Sequence, residues 1–213
     1  MTVAARDAAS FARRKARLAP QPTVLVLYED SKASIAYLTD AARHFRASPH
    51  IRVEHCGRTD PMGIVEEAIV QRGRYDELFC VIDRNGHQSF DAARALARDK
   101  VGLAVIPSDP CFEYWLLLHF DYTRAPFTAV GAKSSCDRLT DALRQQPGMN
   151  AYDKGSVQGL FDRMLASDRF ARARLSSARS LLDAIEVDEP NPSTHLHVLI
   201  DRFETLGRLQ AAQ

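Results

Sequence analysis

Four short strand-like runs, each followed by a predicted helix, constrain the fold more than any other feature of the sequence. Residues 24–27, 78–82 and 101–106 are almost entirely apolar, as in buried strands, and residues 51–55 alternate between apolar and polar side chains. Strands that alternate with helices usually pair in parallel with right-handed connections. The sequence therefore predicts an α/β fold with a wound, mostly parallel four-stranded sheet flanked by helices. The accompanying helices are predicted over 35–45, 62–70, 90–99 and 111–120.

The chain divides into three predicted parts. Residues 1–20 carry five basic side chains with little apolar periodicity, which predicts a basic arm that is either solvated or in contact with a phosphate backbone. Residues 21–121 contain all the predicted strands and form an α/β core. Strand patterns then stop, and residues 122–213 are predicted to be an all-helical elaboration packed on that core. Its helices are expected over 134–145, over 157–186 with a break near 166–170, and over 194–206.

Polar oxygen-bearing side chains follow the strands of this predicted core. Glu29 follows the first strand, Asp83 and Asn85 follow the third, and Glu113 lies in the first turn of the helix after the fourth. In an open parallel sheet the carboxyl ends of the strands form the ligand-binding crevice. Carboxylates gathered there repel one another, and Mg²⁺ or Mn²⁺ would offset that repulsion. The alternative is that these side chains only cap helices and turns.

Four further side chains are weaker candidates. His87 lies close behind Asn85 and could assist proton transfer, although a loop histidine is often simply solvated. Lys154 precedes a helix and could neutralise charge on a phosphate, or it could be an ordinary surface lysine. Arg172 and Arg179 are seven residues apart and share a helix face. They could follow a nucleic-acid backbone, or they could pair with acidic neighbours on a solvated helix.

Composition and missing motifs exclude several classes of function. The net charge of +1 gives no general attraction to nucleic acid or acidic membranes. No apolar run approaches the roughly 20 residues of a membrane span. The four cysteines are widely spaced, which predicts free thiols and a cytoplasmic location. The spacing of the histidines does not support a zinc site. No glycine-rich phosphate-binding loop is present, so an intrinsic ATPase is not expected.

The segment SDPCFEYWLLLHF at 108–120 carries a family resemblance, together with Glu29, Asp83-Arg-Asn85, Tyr152-Asp-Lys154 and Asn191-Pro-Ser-Thr194. With these motifs the chain resembles the RloB-like proteins over about residues 23–206. The resemblance implies a Toprim-like, metal-dependent catalytic fold and an origin in restriction or abortive-infection loci, often beside a separate ATPase. It also implies roles for the strand-end residues. Glu29 would be the general base or a metal ligand. Asp83 and Asn85 would stand at the paired-aspartate positions, and Glu113 would be a further acidic residue of the site.

The chain departs from the family pattern at two motifs. Where the family usually has Glu-Gly and then a second glutamate, this chain has Glu29, Asp30 and Ser34. At the second of the paired-aspartate positions it has Asn85, whose amide oxygen can ligate a hard cation but carries no charge. Asp30 or Asp109 could restore the missing charge.

Two hypotheses of function follow. The leading one is a Mg²⁺- or Mn²⁺-dependent phosphodiesterase, a nuclease acting on DNA or RNA in anti-phage defence with a separate ATPase. Glu29, Asp83, Asn85 and Glu113 would hold the metal, and Lys154 would be an accessory cation. The rival is a non-catalytic Toprim-like subunit that binds nucleic acid or a partner protein as a sensor or scaffold. An oligomer is compatible with either hypothesis, and no membrane contact is expected.

Overall fold

The computed structural model describes residues 21–29, 32–155, 158–165 and 168–211. The predicted basic arm at 1–20 and the candidate site residue Asp30 lie outside these residues. None of the helices in the described ranges is both long and apolar enough to cross a membrane. The four cysteines are free; Cys56 is half-buried and the other three are buried.

A five-stranded, mostly parallel sheet forms the centre of the molecule. Its strands are β1 (Val24–Tyr28), β2 (Ile51–His55), β3 (Glu77–Asp83), β4 (Leu103–Asp109) and β5 (Ser193–Thr194). Its strand order is β2-β1-β3-β4-β5, and β1 pairs in parallel with both β2 and β3. β3 and β4 are also parallel, whereas β5 runs antiparallel to β4. The prediction of a wound α/β unit with parallel strands is confirmed.

The fifth strand corrects the predicted four-stranded sheet and the prediction that strands stop at Asp121. β5 has only two residues, both polar, so no apolar pattern marks it. Its position depends on tertiary contacts: the hydroxyls of Ser108 and Thr194 lie 2.8 Å apart in the interior. The backbone carbonyl of Thr194 also accepts a hydrogen bond from the Ser177 hydroxyl at 2.9 Å.

Helices cover both faces of the sheet because side chains alternate along the strands. They are α1 (Lys32–His44), α2 (Pro61–Gln71), α3 (Phe90–Arg98) and α4 (Glu113–Leu117), joined by α8 (Leu196–Ala211) from the C-terminal part. Leu25, Leu27 and Cys80 point to one face and join the apolar cluster made with α2 and α3. Val26 and Val81 point to the other face, where α1, α4 and α8 pack. The side chain of Asp60 caps the first turn of α2 by accepting a hydrogen bond from the Gly63 N–H at 2.9 Å.

Within the described ranges, the C-terminal part contains the helices α5 (Ser135–Arg144), α6 (Leu160–Leu165), α7 (Arg169–Glu186) and α8 (Leu196–Ala211), together with β5 and a bridge between Val130 and Lys133. A capping box at Ser134 begins α5. The predicted break near 166–170 separates α6 from α7, and residues 166–167 lie outside the described ranges. Several predicted bounds were wrong: α4 is shorter than 111–120, α8 runs from Leu196 to Ala211 instead of 194–206, and β4 runs from Leu103 to Asp109 instead of 101–106.

Candidate metal centre and catalytic cleft

Glu29 and Asp83 lie at the ends of neighbouring strands. β1 pairs with β3 so that Tyr28 is opposite Val81, Glu29 directly follows β1, and Asp83 is the last residue of β3. Both residues line one cavity of about 440 Å³ at this edge of the sheet. The structure therefore brings together two of the predicted site carboxylates. The cavity is lined by Tyr28, Glu29, Lys32, Asp83, Asn85, Cys136, Lys154 and Gly155.

Asp83 is held in place by two hydrogen bonds from buried groups. Its Oδ1 accepts the backbone N–H of Phe112 at 3.0 Å and the phenol of Tyr28 at 3.2 Å. Burial, followed by repulsion from Glu113 and Glu29, raises the pKa of Asp83 to about 8, although Lys154 and Tyr28 act in the opposite direction. Burial and the neighbouring carboxylates thus favour the protonated, neutral form of the Asp83 side chain.

Glu113 is buried at the start of α4 and is already neutralised by the protein. Only 1% of its side chain is exposed, and its Oε2 lies 3.2 Å from the Lys154 ammonium. Its Oε1 accepts a hydrogen bond from the Tyr152 phenol at 2.9 Å. Burial alone would lower the pKa of Lys154, but attraction to Glu113 and Asp83 raises it overall. Glu113 therefore serves as an anchor for Lys154, which reaches the cavity from the C-terminal part of the chain.

Asn85 and His87 belong to the turn that follows β3. Asn85 adopts a left-handed backbone conformation with φ of 27°, and its N–H donates to the Pro110 carbonyl at 3.1 Å. Its side-chain oxygen accepts a long hydrogen bond of 3.4 Å from the Ser135 hydroxyl. His87 Nε2 lies 3.1 Å from Glu29 Oε1. This turn therefore places an amide oxygen at the cavity and an imidazole against the carboxylate of Glu29.

Asp109 does not lie in the acidic cleft. It is the last residue of β4, and its Oδ2 is 3.5 Å from the guanidinium of Arg84. Burial raises the pKa of Asp109, and Arg84 opposes that shift. The residue lines a second cavity of about 430 Å³ between α3, β4 and the end of α7. Asp109 is thus not placed to restore the charge missing at Asn85.

Arg172 and Arg179 lie on α7, outside the residues that line the cleft. Arg172 donates a hydrogen bond to the Phe120 carbonyl at 3.3 Å, and the guanidinium of Arg179 stacks over the Tyr122 ring at 4.2 Å. Phe120 and Tyr122 follow the C-terminal end of α4, whereas Glu113 begins that helix. The two arginines therefore lie beyond the far end of α4, and their contact with nucleic acid stays a prediction.

Sequence reasoning missed Tyr28 and Lys32 as residues that line the cleft, and it missed Tyr152 as the hydrogen-bond partner of Glu113. A tyrosine at the end of an apolar run is indistinguishable from a core aromatic, because only the folded structure shows that its hydroxyl meets Asp83. Tyr152 is 39 residues from Glu113 in the sequence, so no local spacing predicts their contact. Lys32 is the first residue of α1, and nothing in its neighbourhood distinguishes it from an ordinary surface lysine.

The donors at the cleft fit a hard divalent cation held by few protein ligands. Glu29, Asp83 and Asn85 present oxygen donors to one cavity, and burial together with the carboxylates of Glu113 and Glu29 raises the pKa of Asp83. Mg²⁺ commonly uses one or two carboxylates, keeps several waters and contacts substrate phosphates. Within the described ranges, no group of three or more His, Cys, Asp and Glu side chains is arranged to hold a metal. The donor set therefore suits a weakly held cation whose coordination shell would be completed by oxygen atoms of the substrate.

Comparison with known proteins gives a family. No curated protein and no solved structure matches the chain. A family model described as RloB-like protein matches residues 24–203. That range begins in β1, extends into α8 and includes every candidate site residue that the structure describes. The chain therefore belongs to the RloB-like protein family.

Proposed function

We propose that this protein is a Mg²⁺- or Mn²⁺-dependent phosphodiesterase of Toprim type that cleaves nucleic acid, either DNA or RNA. The observation that carries the proposal is the meeting of Glu29 and Asp83 at adjacent strand ends in one cavity with Lys154. Two carboxylates and a nearby ammonium group are what phosphoryl transfer requires: anionic ligands for a cation and positive charge for the phosphate.

The residues of the cleft divide the chemistry among them. Glu29, Asp83 and the amide oxygen of Asn85 would hold the cation. A bound Mg²⁺ or Mn²⁺ ion would add positive charge at the phosphate and make an attacking water more acidic. His87, 3.1 Å from Glu29, would exchange a proton with that carboxylate. Lys154, tethered to Glu113, would neutralise charge on the phosphate as it builds up.

The proposed biological setting is anti-phage defence in the cytoplasm with a separate ATPase. Family membership supports the defence role through the resemblance described above. The sequence has no phosphate-binding loop, so a partner would hydrolyse ATP. Four free cysteines are consistent with a reducing compartment.

A non-catalytic sensor or scaffold is the second candidate function. Two observations favour it. Asn85 stands where the family pattern has an aspartate, which removes one negative charge from the donor set. The ammonium of Lys154 already neutralises Glu113, so that carboxylate is not a ready metal ligand. In this role the cleft would bind nucleic acid or a partner without cutting.

A cleavage assay with matched variants separates the two candidates. Labelled DNA and RNA are incubated with the protein, with and without Mn²⁺ and the cognate ATPase. Glu29→Gln and Asp83→Asn should each reduce cleavage by about 10²-fold or more, since each removes a charged cation ligand. Asp109→Asn is the control, because this strand-end carboxylate faces a different cavity. If cleavage survives both substitutions, the assignment of the catalytic site is wrong. If no cleavage occurs even with the ATPase present, the result favours the sensor or scaffold function.

Cation binding can be measured without activity. Free Mn²⁺ gives an electron paramagnetic resonance signal that disappears when the ion binds protein, so a titration gives the affinity directly. We expect one site that Asp83→Asn weakens at least ten-fold and Asp109→Asn leaves unchanged. Equal binding by the wild type and Asp83→Asn would place the cation elsewhere.

A further inference from the structure

α7 carries a stripe of exposed apolar residues along its whole length. The exposed fractions of Leu175, Leu182 and Ile185 are 74%, 67% and 69%. Ala171 is exposed and Ala178 is half-buried on the same line. We call these five residues the α7 seam. Single exposed leucines are common on protein surfaces, but an aligned row of them marks a contact surface.

The spacing of the α7 seam is that of a coiled coil. Its members follow one another at intervals of four, three, four and three residues, the alternation of the two core positions of a heptad. The opposite face of α7 carries small, buried side chains, and Ala173, Ser177 and Ala184 on this face pack against the rest of the protein. The helix therefore uses a different face for its own fold, and the α7 seam can receive a second helix.

The charges beside the α7 seam determine which orientation of a second helix fits. Arg172 lies beside the N-terminal half of the seam, Arg179 lies beside its centre, and Glu186 and Asp188 lie at its C-terminal end. An antiparallel copy of α7 would place Arg172 beside the second copy's Glu186, once at each end of the pair. A parallel copy would instead bring arginine-rich halves together, which costs free energy. The charge pattern is thus complementary to itself only in the antiparallel orientation.

We propose that the α7 seam is the interface of a two-fold symmetric homodimer in which α7 pairs antiparallel with α7 of a second copy. In the matching register, Leu175 packs against Ile185 of the second copy, and Ala178 packs against Leu182. The small Ala178 lies near the two-fold axis and lets the helices approach closely. The inference does not depend on the proposed nuclease activity, because α7 does not line the cleft.

Neither Arg179 nor Arg172 opposes this antiparallel arrangement. Arg179 would approach its own copy across the axis, but the Asp183 carboxylate lies 3.7 Å from its guanidinium and offsets the repulsion. Within the described part of the chain, the guanidinium of Arg172 makes one hydrogen bond, to the Phe120 carbonyl, and no ion pair, so its charge stays available. The same two arginines are the candidate nucleic-acid contacts, so the test must separate these roles.

Sedimentation of the full chain gives the first test. Between roughly 1 and 100 μM, the range expected for a small interface, the mass should rise from one chain to two. Leu182→Glu should leave one chain throughout, because it buries a carboxylate against Ala178. Val70→Glu is the matched control, since Val70 is also 74% exposed but lies on α2. Circular dichroism should show both variants folded. A wild type that stays monomeric, or a loss of dimer in both variants, overturns the proposal.

A charge-reversal cycle tests the orientation. Arg172→Glu and Glu186→Arg should each weaken the dimer about ten-fold, and the double variant should regain wild-type association. A parallel dimer would show no such rescue, and failure of rescue would overturn the antiparallel arrangement. If Arg172→Glu lowers nucleic-acid binding but leaves the dimer unchanged, Arg172 contacts nucleic acid and the predicted Arg172–Glu186 contact is wrong.

Discussion

Asp83 combines three features that determine the chemistry of the cleft. It borders the cavity, it accepts two hydrogen bonds on Oδ1, and its pKa is raised to about 8 by burial, Glu113 and Glu29. An unfolded aspartate has a pKa of about 3.9. Between about pH 4 and pH 8 the folded protein therefore holds a proton that the unfolded chain has released. The free energy of unfolding must fall as the pH rises through this window.

This linkage predicts a measurable difference between wild type and Asp83→Asn in EDTA. The full effect would be about 1.4 kcal/mol per pH unit, but contact with cavity water reduces it, and we expect a total of about 1–2 kcal/mol. The free energy of unfolding is measured in urea at about pH 5.5 and about pH 7.5. Between these two values it should fall by about 1–2 kcal/mol more in the wild type than in Asp83→Asn. Asp99→Asn, at an exposed aspartate, should behave like wild type. If the free energy of unfolding changes equally with pH in all three proteins, the pKa of Asp83 is not raised.

At the scale of elements, the sequence predicted what repeating patterns encode. β1 and β3 were found because they are continuous apolar runs, and α2 because Asp60 and Pro61 form a recognisable helix start. β5 was missed because two polar residues have no pattern and pair with β4 only in the folded chain. For the same reason, strand ends predicted Glu29 and Asp83, whereas the contact between Tyr152 and Glu113 required the tertiary structure.

The packing of α8 against the end of α1 depends on one glycine. A Cβ atom on Gly207 would overlap the backbone carbonyl oxygen of Phe45 and lie 2.8 Å from its carbonyl carbon. Backbone atoms cannot move aside as a side chain can, so Gly207→Ala should destabilise the protein by about 1–3 kcal/mol in urea unfolding. Gly73→Ala is the control, because a Cβ atom on Gly73 would meet nothing within 4 Å and no strain is expected. Equal stabilities for the two variants would show that α8 shifts freely.

The α/β core and the helical C-terminal part share one hydrophobic core. The cluster on one face of the sheet contains Tyr37 and Trp115 from the core together with Phe161 and Phe203 from the helical part. The rings of Tyr37 and Phe161 are 5.1 Å apart. The sequence predicted the change of pattern at Asp121 but could not show how much apolar surface the two parts bury against each other. That quantity depends on which helix faces meet.

Trp115, the single tryptophan of the chain, reports on this shared core. It is fully buried, and its ring lies 6.4 Å from that of Phe170 in α7. We therefore expect tryptophan fluorescence and far-ultraviolet circular dichroism to give coincident thermal transitions in the full chain. A fragment of residues 21–121 should show red-shifted emission and no cooperative transition, because it leaves one face of the sheet uncovered. A sharp transition in that fragment would instead identify the α/β core as an independent folding unit.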